Sequence, residues 1–499
     1  MSATTTAGPV ITDSTRPGIN PWFVLIIACL AQFMVVLDAT VVNVALPSVQ
    51  RGLHFSAANL QWIVNGYTLI FGGFLMLGGR AADLLGRKRL FVAGVILFTA
   101  ASLFNGLAQT SGMLIVGRGL QGLGGALVSP AALSIVTTTF ADGEQRTKAL
   151  GVWSAIAAGG SAVGLLLGGV LTDVASWRWV FFVNVPVGII TMMLALRFVS
   201  ESRVEMAHRS FDLLGAFAVT SGLVVLVYAI VKAQAYGWGS ARTLGLGAVA
   251  VALLAAFVAI EHRSAAPLMR LSIFRVRALA VADTALLLVA SGMFGMFFFA
   301  SLFVQDVLGY SPLHAGLAFL PVTAGIMVGA GIAQPLIRRA GVRNVAAGGI
   351  ALAAVGMLVL TQLPVHARYT GNLLPGLIPM SLGMGLAFVP ITLMGTSGVS
   401  SEDTGLASGL FNTAQQVGGS LGLAILSTLA ASQTARVLHG TSHAALVAAK
   451  VSGYHVAFLA AAIMLALGVG LMLFALRRRH MRDVELAIET TGIAPAVAG

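Results

Sequence analysis

Leu37-Asp38-Ala39-Thr40-Val41-Val42-Asn43-Val44-Ala45-Leu46-Pro47 sets one carboxylate inside an apolar run that carries no other charge from Trp22 onward. A run of this length crosses a bilayer as a helix. A carboxylate in the hydrocarbon region is costly and by default faces a cavity or a partner. Two readings are open for Asp38: a group that takes up and gives off a proton, or an acid that pairs with a cation or caps a kink and only holds helices together.

The rest of the 499-residue chain is made of the same material, 58% hydrophobic and 9% charged. A soluble protein carries roughly 25% charged residues, so most of this surface must be wetted by lipid. Apolar runs of spanning length fall at 22–46, 59–79, 90–109, 113–137, 149–172, 179–199, 212–231, 243–260, 279–304, 313–336, 345–363, 373–397, 406–430 and 454–476. Open strands cannot satisfy their backbone in lipid, so the fold class is all-α integral membrane, with 14 transmembrane helices. The net charge of +12 invites a nucleic-acid partner, but the placement of the basic residues does not. With both termini inside, inner segments hold 21 of the 29 Lys and Arg, outer segments hold 7, and Arg118 lies within a span. That bias puts both termini in the cytoplasm and explains the charge without nucleic acid. Cys29 is the one cysteine, so no intrachain disulfide can form.

Internal repetition is faint. Gly86, Lys88 and Gly94 fall on Gly341, Arg343 and Gly349 at a shift of 255, and Gly151, Gly160 and Gly164 fall on Gly409, Gly418 and Gly422 at a shift of 258. Two matches at nearly one offset suggest a duplicated six-helix unit, a layout frequent among secondary transporters. The expected organisation is a disordered cytoplasmic N-tail at 1–21, a six-helix half at 22–200, inserted helices 7 and 8 with their loops at 201–278, a second six-helix half at 279–477 and a cytoplasmic C-tail at 478–499. The N-tail is no signal peptide: Arg16 is its only basic residue and the run behind it is too long.

Several constellations carry chemistry. Asp38 lies roughly 24 Å up the first span and Arg118 roughly 8 Å down the fourth, at similar depth if the chain rises about 1.5 Å per residue. If the two spans are neighbours, the charges can neutralise each other. A carboxylate balanced between burial and an arginine can load and release a proton; a permanent structural ion pair is the other reading. Between spans 2 and 3, Gly79-Arg80-Ala81-Ala82-Asp83-Leu84-Leu85-Gly86-Arg87-Lys88-Arg89 offers two glycines for a tight turn and an acid, Asp83, that can cap a helix or pair with an arginine. Span 5 carries Gly151, Gly160, Gly164, Gly168 and Gly169, which let another helix approach closely.

For a pocket, span 13 offers Asn412, Gln415 and Gln416 on one helical face. Span 2 offers Gln61, Asn65 and Tyr67, and span 9 a Met/Phe run that includes Met293 and Phe297. Soft side chains suit varied apolar ligands, though helix packing or lipid contact explains such a run equally well. Asp283, about one turn into span 9, is expected to form a cytoplasmic-side ion pair near Arg275 and Arg277, with a substrate site as the other reading. His439 and His443 lack further ligands, so no metal is assigned. There is no catalytic cluster and no phosphate-binding Gly-Lys-Ser/Thr loop, so neither an enzyme nor a nucleotide-driven pump is expected.

Together these pieces resemble the major facilitator superfamily, and within it the fourteen-spanner drug:proton antiporter branch of the EmrB/QacA type. The stretch from Asp38 to Pro47 resembles that branch's first-span signature. Gly79 to Arg89 resembles the superfamily's loop motif A, Arg118-Gly119-Leu120-Gln121-Gly122 resembles motif B, and the span 5 glycines resemble the antiporter motif C. Trp177 to Pro186 and Asn412 to Ser420 resemble further segments of the same branch. The resemblance covers about residues 22–477. It departs at Leu165, where motif C usually has proline, and at span 10, which lacks the acid that some dication exporters carry.

What the resemblance implies is a proton-coupled exporter of amphiphilic small molecules, multidrug or antibiotic efflux, in the bacterial cytoplasmic membrane. It further implies Asp38 and Arg118 in proton coupling, Gly79, Asp83, Gly86, Arg87 and Lys88 as a conformational latch, the span 5 glycines as a moving seam, and a pocket drawn from Asn43, Gln61, Asn65, Tyr67, Gln121, Met293, Phe297, Asn412, Gln415 and Gln416. No cofactor is expected beyond the proton as coupling ion. The expected partners are the substrate and the bilayer, without nucleic acid or nucleotide, around a monomer. A dedicated exporter of an endogenous metabolite, siderophore or lipid on the same fold is the alternative.

Overall fold

A computed structural model describes residues 11–13, 20–140, 143–204, 212–264, 267–396, 399, 403–440 and 442–476. Most of the N-tail and the whole C-tail read from the sequence lie outside the described residues. Fourteen long helical stretches follow one another. They are α1 (Pro21–Leu53), α2 (Ala57–Leu85), α3 (Arg87–Gly106), α4 (Ser111–Thr139), α5 (Glu144–Val174), α6 (Trp179–Phe198) and α7 (Leu213–Tyr236). Then come α8 (Ala241–Arg263), α9 (Arg277–Val307), α10 (Pro312–Ala340), α11 (Val342–Leu360), α12 (Tyr369–Thr396), α13 (Thr404–Val437) and α14 (His443–Ala475). Thirteen of these are long and apolar enough to cross a membrane; α13, at 34 residues, has the length but is not among them. Outside the helices, Ile11–Asp13 pairs antiparallel with Ser202–Val204, a two-strand ribbon the sequence did not announce.

Local chemistry sets the helix ends. The Asn20 side chain accepts from the Trp22 amide and Pro21 occupies the first turn of α1, where a missing N–H costs nothing. Thr110, Ser240 and Ser442 cap α4, α8 and α14 in the same way. Asp212 caps α7 through the Gly215 amide at 2.7 Å. Some ends fall beyond the apolar runs. α14 starts at His443, well before the apolar run at 454–476. Asp306, just past the apolar run at 279–304, lies in the last turn of α9 and pairs with Lys450 at 2.7 Å.

The packing repeats itself. α1 packs on α5, α4 and α6, and α9 packs on α13, α12 and α14 in the same way. α4 takes α2 and α3, as α12 takes α10 and α11. The glycine echoes have matching geometry. Gly86 and Gly341 both break the chain at positive φ, 111° and 80°. Gly94 and Gly349 both lie where an added Cβ would press within 3.0 Å on a neighbouring helix, on Val128 and Leu127 side-chain atoms of α4 and on the backbone of α12 respectively. Between the two sets, α2 meets α13 and α5 meets α10. The pair α7–α8 leans on α2 and α13 from outside. α8 keeps Leu244, Val249, Val251 and Val258 exposed, an apolar face of the kind lipid covers.

Candidate proton and substrate site

Asp38 is wholly buried, and its partners come from two further helices. Arg118 of α4 donates Nη1–H to Oδ2. Gln121, one turn on, donates Nε2–H to Oδ1 at 2.9 Å, and Asn184 of α6 donates Nδ2–H to the same oxygen at 2.9 Å. Arg118 spends Nε–H on the Ile63 carbonyl of α2 (2.9 Å) and shares Nη1 with Gln121 Oε1 (2.8 Å). Its Cζ lies 4.4 Å from the centre of the Tyr67 ring, within cation–π range. Gln121 reaches on to Ser102 Oγ at 2.6 Å and accepts from Asn105 Nδ2 at 2.5 Å. Spans 1 and 4 are therefore neighbours, and the two charges meet.

A charge pair taken out of water holds only if its remaining donors and acceptors are met. Here three side chains donate to one carboxylate, and the arginine has a carbonyl, an amide oxygen and a ring besides. Gln121, expected in the substrate pocket, is committed to this network instead. Asn184, Ser102 and Asn105 were not singled out from the sequence. Their signal was available, since each is a polar side chain inside an apolar run.

At the α2–α3 junction Gly86 alone makes the turn; Gly79 is helical and rests near Pro130. Asp83 takes the arginine, bonding Arg87 at 2.9 Å. The helix terminus is capped by a residue the sequence reading missed. Glu201, beyond α6, accepts from the Lys88 and Arg89 amides at 3.2 Å each. It answers the unsatisfied N–H groups and positive pole of α3. Lys88 Nζ reaches the Leu196 carbonyl at 2.9 Å. Loop and α6 end are thus tied from 113 residues away, a distance no local pattern bridges.

Four of the five span 5 glycines make close approaches. A Cβ on Gly160 would meet Val36 and Phe33, one on Gly164 Thr40, and one on Gly168 the Val41 carbonyl at 2.7 Å, all on α1. Gly169 faces Pro312 of α10 at 2.7 Å. Gly151 meets nothing within 4 Å, so it takes no part in that contact. Leu165, in the place of the proline, is buried, and its carbonyl lies where a Cβ on Gly316 of α10 would be, 2.6 Å away.

The pocket candidates divide. Met293 and Gln415 line a slot of about 40 Å³ with Ala290, Ile326, Met384 and Phe388. Phe297 lies one turn on, its ring 5.7 Å from that of Phe319. Gln416 packs against Gly72 at the α2–α13 contact. Asn412 returns its amide to the Ser408 carbonyl at 3.1 Å, and Asn43 to that of Ala39 at 3.3 Å. Gln61 and Asn65 are buried and bond each other at 3.3 Å. Tyr67 belongs to the Arg118 site. The ion pair expected for Asp283 is not formed: Arg277 donates instead to the Ala475 carbonyl at 3.0 Å, and neither Asp283 oxygen has a hydrogen-bonding partner among the described residues.

Comparison with known proteins agrees with this architecture. The family model described as Major Facilitator Superfamily matches residues 28–423. The puromycin resistance protein of Streptomyces alboniger is 41% identical over 462 residues, covering 92% of this chain and 90% of that protein. The cephamycin export protein of Amycolatopsis lactamdurans is 41% identical over 413 residues, 82% of this chain and 85% of its own. Among solved structures, an inward-facing, unoccupied bacterial homologue of the human lysosomal transporter Spinster aligns with TM-score 0.66 over 94% of this chain and 99% of that one. At 17% identity that likeness speaks for the fold alone.

Proposed function

The chain belongs to the Major Facilitator Superfamily, and on that premise we propose that it is a proton-coupled antiporter exporting amphiphilic small molecules across the bacterial cytoplasmic membrane. The observation that carries the reading is Asp38, a fully buried carboxylate held by Arg118, Gln121 and Asn184. With Asp38 ionised the pair is neutral. A proton on Oδ2 takes away the acceptor of Arg118, which keeps the Ile63 carbonyl, Gln121 Oε1 and the Tyr67 ring. Protonation therefore changes what binds α1 to α4. α1 also forms one wall of the glycine seam with α5, so a proton at Asp38 bears on the packing that must shift during transport. Coupling requires proton and substrate to favour different states of one molecule.

The same proposal takes α13 as the fourteenth span, two six-helix halves with α7 and α8 inserted between them, and both termini in the cytoplasm. The three-to-one excess of basic residues supports that orientation. It needs no cofactor, nucleotide or second copy of the chain, and it assigns no catalytic activity. Export of small antibiotic-like compounds draws support from the relatives named for puromycin resistance and cephamycin export. Each of those names carries one compound, which favours a second reading: a dedicated exporter of one endogenous metabolite.

Efflux from energised cells tests both. Wild type and Asp38→Asn are loaded with ethidium or a zwitterionic amphiphile, with and without an uncoupler. Uncoupler-sensitive efflux that is lost in Asp38→Asn is the expected result. Efflux persisting in Asp38→Asn would move the proton carrier elsewhere. A wild type that is present in the membrane yet exports neither probe would favour the dedicated exporter.

A further inference from the structure

Asp283 lies in the seventh position of α9 and is 4% exposed, with neither carboxylate oxygen partnered among the described residues. An uncompensated charge cannot rest there; the carboxyl needs a proton or a cation. Its position is tied to the slot already described. Asp283 lies one turn before Leu286 and two before Ala290, both of which line the slot. Its Oδ1 would be 3.4 Å from a Cβ on Gly395, two turns past Phe388 on α12, and Gly395 packs on Phe411, one turn before Gln415 on α13. Three helices thus step down from the slot toward the same carboxylate, and Asp283 lies one turn beneath the slot's Leu286 end.

Resting on the exporter reading, we propose that Asp283 is the counter-charge for the ammonium or other monocationic head of a substrate that enters by the slot and is seated at its Leu286 end. The slot admits a small head group, and its Met and Phe walls can yield to bulkier ones. The arriving cation takes the place of the carboxyl proton, which leaves to solvent, so charge is conserved there. This site is separate from Asp38, which is held by its own three donors.

The test is equilibrium binding to the purified full chain in detergent, with ethidium as cationic probe and neutral N-phenylnaphthylamine as control. Asp283→Asn should weaken ethidium binding by about ten-fold or more, as expected for loss of a buried charge partner, and leave the neutral probe within about two-fold. Asp283→Glu should restore ethidium. In weakly buffered solution, ethidium should release protons from the wild type and not from Asp283→Asn. Unchanged ethidium affinity in Asp283→Asn, or equal loss of both probes in a variant that melts like the wild type, overturns the proposal. Wild type binding neither probe removes broad export of amphiphiles in favour of the dedicated exporter, and this proposal with it; wild type binding both, with Asp283→Asn unaffected, removes this one alone.

Discussion

Asp38 accepts from Arg118, Gln121 and Asn184, and Arg118 has no other carboxylate partner among the described residues. Removing one member of a buried pair strands the other, at about 3–5 kcal/mol. Arg118→Gln should therefore lower the melting temperature of the detergent-solubilised protein markedly. Asp38→Asn placed on top of Arg118→Gln should recover part of that loss, because the uncompensated carboxylate is gone. A coupling energy above about 1 kcal/mol in this double-mutant cycle is expected for residues in contact. Additive losses would mean that the two charges do not depend on each other. The neighbouring Gln121 and Asn184 matter for the same reason: they meet valences that the pair leaves open.

The α1–α5 contact is made by missing side chains. Gly164 and Gly168 allow the Thr40 and Val41 turns of α1 to lie against α5, and the gain is dispersion between close backbones rather than burial from water. Gly168→Val has no room, because even a Cβ comes 2.7 Å from the Val41 carbonyl. Overpacking of this sort costs about 1–3 kcal/mol, so the variant should melt lower and export more slowly. Gly151→Ala, with nothing within 4 Å, should match the wild type to within about 0.5 kcal/mol. Melting curves and efflux rates of the two variants, side by side, check this. If Gly151→Ala proves as damaging as Gly168→Val, Gly151 enters a close contact in another conformation of the transport cycle.

Across the whole molecule, the two helix sets are fastened at the end that carries the last turns of α1, α5 and α9. Ser301 donates to the Asn43 carbonyl at 2.7 Å and Gln305 to that of Val44 at 2.8 Å. Ser311, before α10, donates to Asp173 at the end of α5 at 3.2 Å. Transport by rocking of two halves requires these contacts to part. Cysteines at Asp173 and Ser311, joined by a short thiol-specific linker, should arrest efflux, and a reductant should restore it. Cys29 is buried and does not compete for the reagent. Full efflux from the linked protein would show that the halves need not separate there.

The period and length of the apolar runs, the bias of Lys and Arg and the isolated Asp38 are properties of the chain alone. They sufficed for a helical membrane protein with an acid buried in its first span, because solvation by lipid acts on each segment independently of its neighbours. The similar depths of Asp38 and Arg118 could be counted along the chain; that they touch could not. The cap of α3 by Glu201, the place of Asn184 beside Asp38, the idleness of Gly151 and the lack of a partner for Asp283 among the described residues came only with the packed helices. Each depends on which helix faces which, and at what rotation. In lipid those choices rest on close packing and on hydrogen bonds between residues far apart in sequence, and neither leaves a local pattern to read.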